Sequence, residues 1–71
     1  MAARDLGRVL RAARLRRRMS KTAVINLALI SQQTLDRVEQ GDPTVSFGAY
    51  AVVLHAVGLG SAMVLLTDDN G

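Results

Sequence analysis

Cysteine is missing from the 71 residues, and with it any disulfide framework, thiolate zinc site or thiol nucleophile. Tryptophan is missing too, and the aromatic complement is one Phe and one Tyr. The single histidine, His55, cannot build a metal site alone; on the side of a mostly apolar helix it reads as a packing or surface residue. There is no Ser/His/Asp set, no framed carboxylate pair and no glycine-rich phosphate loop, so neither an enzyme nor a cofactor site is expected. The longest apolar stretch, Val52 to Leu66, is broken by His55, Gly58 and Gly60 and is too short to span a bilayer. The N-terminus is Arg-rich without the central apolar run of a signal peptide. As a membrane-surface helix, residues 4–18 lack Trp or Phe anchors. The expectation is one small cytoplasmic domain over residues 1–71, with no metal, cofactor or membrane partner. So short a chain buries a modest share of its surface, and oligomerisation is a common remedy.

Charge is present but lopsided. The formal net charge is +3, yet eight of the nine Lys and Arg residues fall within the first 21 positions. Two of the six acids, Asp68 and Asp69, sit near the C-terminus. This asymmetry fits a polyanion near the N-terminal half as well as it fits a solvated basic helix.

The chain is organised around Ser20 to Gly41, two short helices joined by a tight turn. Ser20 and Ser31 can cap the two starts, and Gly41 followed by Pro43 ends the second. Val24, Ala28, Ile30, Leu35 and Val38 supply the inward faces. Upstream, Leu6, Val9, Leu10 and Ala13 repeat at helical spacing and predict a helix over about 5–17, with Leu15 on its far side and Met19 as a plug. Downstream, Ser46 caps a helix from Phe47 to Val57, closed by Gly58. Phe47, Tyr50, Ala51, Leu54 and Val57 form its expected core face, and Ala49, Val52, Val53 and Ala56 make its back apolar as well. A helix apolar all round is covered on both sides, and a second subunit is the simplest cover here. The run 61–67 reads equally as a short strand or a last helix.

These residues resemble the lambda-repressor-like helix-turn-helix proteins, the XRE family, over Leu6 to Leu66. The resemblance rests on Arg11, Ala13, Arg14, Met19 and Ser20; on Ile30, Ser31, Thr34, Leu35, Val38, Glu39 and Gly41; and on Val53, Leu54, Val57 and Gly58. A narrower likeness, in Ala13 to Ser20, Val38 to Tyr50 and Val53 to Gly60, is to HipB-type antitoxins, whose partners are HipA-type kinase toxins. The resemblance implies an all-α domain of four to five helices with its motif at 20–41. It also implies a dimerisation segment at about 47–67, in which 61–67 lies at the interface. Two departures stand out. Ile25 replaces a usual alanine, and Leu29 a usual glycine at a positive-φ turn, which costs a non-glycine residue on the order of 1 kcal/mol or more. With Leu27 they make the first motif helix unusually apolar.

Paired amides opening a helix suit the major groove, where glutamine bonds the adenine edge and arginine the guanine edge. Gln32, Gln33, Asp36 and Arg37 are the expected base readers. Lys21, Ser31, Thr44, Ser46, Arg16 and Arg18 are the expected phosphate contacts. By resemblance, Arg14 and Glu39 form a structural ion pair between helices. Val52, Val53, Ala56, Met63, Val64 and Leu65 are the expected dimer interface. The function so implied is a homodimeric, sequence-specific repressor on a palindromic DNA operator, with the antitoxin of a HipA-like kinase as its narrower form. The alternative is an interaction module of the same fold without specific DNA binding, favoured by Ile25, Leu27 and Leu29.

Overall fold

A computed structural model describes residues 3–59. Four helices follow in order: α1 Ala3–Arg16, α2 Lys21–Ala28, α3 Gln32–Glu39 and α4 Phe47–Leu54. One turn of wider, π-type winding, His55–Leu59, continues α4 and contains Gly58 at φ 87°. The described residues contain no strand. The segment 61–67, with the expected interface residues Met63, Val64 and Leu65, lies outside them.

Each helix start has a local cause. The hydroxyl oxygens of Ser20, Ser31 and Ser46 accept from the backbone N–H three residues on, at Ala23, Thr34 and Ala49. Each cap satisfies one amide that has no partner inside its helix. The helix ends share a device of their own, a residue in the left-handed conformation. After α3 it is Gly41 (φ 73°): its N–H reaches the Val38 carbonyl, and that of Asp42 reaches Arg37. After α1 the same paired bonds close around Arg18 (φ 55°), from Arg18 to Leu15 and from Met19 to Arg14. After α2 the residue is Leu29 (φ 57°, ψ 46°), whose N–H bonds the Ile25 carbonyl. The motif turn therefore forms with leucine in the conformation that glycine adopts more cheaply.

The core gathers Leu10 and Ala13 from α1, Val24 from α2, Leu35 and Val38 from α3, and Tyr50, Val53 and Val57 from the last segment. Met19, Ile25 and Ile30 pack against it, half-buried. Burial of these apolar side chains is the main stabilising term. α1 crosses the end of α3 closely. A Cβ at Gly7 would stand 2.6 Å from the Val38 carbonyl oxygen and 2.7 Å from the Gly41 nitrogen, so only glycine fits the crossing.

The structure corrects the reading of α4. Phe47 is 77% exposed and forms no part of the core, whereas Val53 is 0% exposed and sits at its centre. Val53 is thus unavailable to a second subunit. Ala49, Leu54 and Ala56 are half-buried against the same core. The true core face, at 50, 53 and 57, is rotated from the expected one, so the helix that looked apolar all round is covered largely by its own chain. Its uncovered large apolar residues are Phe47 and Val52. On α1, Val9 is exposed rather than in the stripe, and Leu15 is exposed as its position on the helical wheel implies.

Candidate nucleic-acid interface

α3 presents its first turn to solvent. Ser31 caps it, and Gln32 and Gln33 follow directly, both exposed. Arg37 stands one turn beyond Gln33 and is also exposed. Asp36 lies four residues after Gln32 and three after Gln33, hence on their side of the helix. Thr34 turns back to the cap, where its hydroxyl lies 2.9 Å from that of Ser31.

Two residues expected to touch different parts of DNA touch each other. Lys21, the first residue of α2, bonds Asp36 through Nζ and Oδ1 at 2.8 Å. The pair bridges the two motif helices at the surface, with side chains 45% and 35% exposed. The sequence carries no local signal for this pairing, because it spans fifteen positions.

Beneath the surface lies a second ion pair. Arg14 donates from Nε to Glu39 Oε2 at 2.6 Å and from Nη2 to Oε1 at 3.1 Å. Its Nη1 also donates to the Met19 carbonyl at 3.1 Å. The fork ties α1 to the end of α3 and to the turn before α2. Both side chains are almost buried, at 8% and 6% exposure, and no buried side-chain polar atom among the described residues lacks a partner.

The loop between α3 and α4 is tied at both ends. Asp42 Oδ1 accepts from the Thr44 hydroxyl at 2.7 Å and from its N–H at 2.8 Å. These bonds hold the Asp42 carboxyl below its ordinary value, the hydroxyl bond contributing most. Tyr50 donates its phenol to the Asp42 carbonyl at 2.8 Å. Burial first, and the Asp42 charge second, push that phenol above its ordinary value. Of the hydroxyls expected at phosphate, that of Thr44 is thus already donating within the protein. Ser46 accepts as a cap, which leaves its hydroxyl able to donate, whereas Ser31 accepts as a cap and also shares a hydrogen bond with the Thr34 hydroxyl in which either can be the donor.

The basic residues divide. Arg16 and Arg18 are exposed at the end of α1. Arg17 lies over the turn after α4, where a Cβ at Gly58 would stand 2.6 Å from its Nη1. The expected interface residues on α4 divide as well: Val52 is 38% exposed, Ala56 half-buried and Val53 buried.

A short helix capped by serine, opening on exposed amides and braced by a second helix at a tight turn, defines a class: a small all-helical module built on a helix-turn-helix pair. The chain belongs to the helix-turn-helix domain family, whose model matches residues 5–66. That membership points to a DNA-binding regulator, in a family that is typically non-enzymatic. No curated protein and no solved structure matches the chain significantly. Among the described residues, no helix is long and apolar enough to cross a membrane, and no cluster of three His, Cys, Asp or Glu side chains is placed to hold a metal.

Proposed function

We propose that the protein is a sequence-specific transcriptional repressor that inserts α3 into the major groove and acts as a homodimer on a palindromic site. The observation carrying this reading is the exposed amide pair Gln32–Gln33 at the capped start of α3, inside a motif whose turn keeps its left-handed residue. Gln32 and Gln33 read base edges; Arg37 reaches guanine or phosphate. Arg16, Arg18, Ser31 and Ser46 add phosphate contacts that set register rather than sequence. Phe47 and Val52, exposed on α4, support a self-contact. A dimer of this kind sets its reading helices about 34 Å apart. Selection of bound sequences from random DNA at a fixed salt concentration tests the reading: it expects an inverted repeat with half-sites one helical turn apart. Recovery of no consensus overturns it.

A second reading has its own observation. Leu27 and Leu29 are 64% and 88% exposed on α2 and its turn. Exposed leucines there suit a protein partner, and by resemblance alone that partner is a HipA-like kinase toxin. Co-purification with such a kinase, lost on Leu27→Ser, is the outcome this reading expects.

A further inference from the structure

Three acids lie in residues 20–59, and two are engaged away from the reading face: Glu39 is buried against Arg14, and Asp42 is held by Thr44. The third, Asp36, stands on the Gln32–Gln33 side of α3. A carboxylate there is repelled by phosphates and by the acceptor-rich edges of most bases. The major-groove edge of cytosine offers it an amino donor with no acceptor of its own beside it. In the free protein the carboxylate has another partner, the Lys21 ammonium at 2.8 Å. Lys21 opens α2, where the helix dipole and the exposed N–H groups also favour a phosphate.

We propose that the Lys21–Asp36 pair is a specificity gate that couples base identity to a phosphate contact, an inference that rests on the DNA-reading function above. On DNA without the right base the two charges satisfy each other, and Lys21 is withheld from the backbone. Over a cytosine, Asp36 accepts from the N4 amino group and Lys21 is released to a phosphate. Half-exposed as it is, the pair opens at small cost, since ion pairs in such surroundings contribute little. Asp36 is therefore a specificity-determining residue, and Lys21 takes its partner according to what Asp36 finds.

Fluorescence anisotropy on the full chain tests this, with the selected duplex and a random-sequence duplex of equal length titrated at several salt concentrations. Circular dichroism first establishes that each variant is folded. Asp36→Asn frees Lys21 on every sequence. It should bind random duplex about two- to fivefold more tightly near 0.1 M salt, with a salt slope steeper by about one. The ratio of specific to random affinity should fall by at least about tenfold, and repeated selection should lose a cytosine preference at one position per half-site. Lys21→Ala should weaken the selected duplex more than the random one, and in its background Asp36→Asn should no longer steepen the salt slope on random duplex. If wild type binds the selected duplex specifically and Asp36→Asn leaves affinity, slope and ratio unchanged, the gate is wrong and the DNA-reading function stands. If wild type shows no specific binding, that function falls and the gate falls with it.

Discussion

Gly7 has no side chain, yet it decides whether α1 can lie against the end of α3. Three backbone atoms, from Val38, Glu39 and Gly41, stand within 2.9 Å of where its Cβ would be. None is the movable tip of a side chain, so Gly7→Ala has to separate the helices. We expect a loss of about 2–3 kcal/mol in urea unfolding, the upper range for overpacking. Leu29 is the opposite case. It is 88% exposed and left-handed, so its side chain adds little packing to offset the backbone cost. Leu29→Gly relieves about 1–2 kcal/mol of steric cost and gives back about 0.5–1 through greater freedom of the unfolded chain. A net gain of about 0.5–1 kcal/mol is expected from the same unfolding measurement.

Gly7 and Leu29 also mark what a single sequence reveals. Leu29 stands out only by resemblance, against the family's usual glycine, whereas the helix caps are legible in the residues themselves because a cap is set by neighbours along the chain. Gly7 gave no such signal, since its constraint comes from residues more than thirty positions away. Phe47, expected on the core face, falls outside it because a helix of nearly uniform hydrophobicity has no preferred face. Which side turns inward is then decided by its neighbours. The Arg14–Glu39 pair was expected by resemblance, whereas the Lys21–Asp36 pair requires knowing how α2 meets α3.

At the scale of elements, two devices fix α3. The first is the buried fork between Arg14 and Glu39. Removing either partner leaves a charge with little access to water, so each single alanine substitution should cost about 3 kcal/mol. Removing both leaves no stranded charge. The double mutant should therefore lose less than the sum of the singles, by about 1–3 kcal/mol in a thermodynamic cycle. The second device is the α3–α4 loop. Its Asp42 carboxyl titrates below its ordinary value in the folded chain, so its contribution is present above the unfolded value of 3.8 and is lost as pH falls through the folded one. Tyr50 works in the opposite direction. Its raised phenol favours the fold below the ordinary value of 10.0 and ceases to do so as pH rises through the folded value. Thr44→Ala removes the hydroxyl donor and should bring the Asp42 carboxyl back up toward 3.8, read from its carboxyl carbon shift in an NMR titration.

For the molecule as a whole, charge and shape address the same ligand. The basic excess is concentrated in α1 and the turn after it, while the acids of the motif are engaged within the fold, Glu39 by Arg14, Asp36 by Lys21 and Asp42 by the Thr44 donors. On the proposed function, positive charge supplies affinity for any DNA, and the amides at the start of α3 supply the choice among sequences. The central claim is that this choice passes through Gln32 and Gln33. Its most direct measurement is the affinity of wild type and Gln33→Ala for the selected duplex and for random duplex, at one salt concentration. Gln33→Ala should lose about 1–3 kcal/mol on the selected duplex and almost nothing on random DNA. Equal losses on both, or no loss on the selected duplex, would contradict base reading by α3.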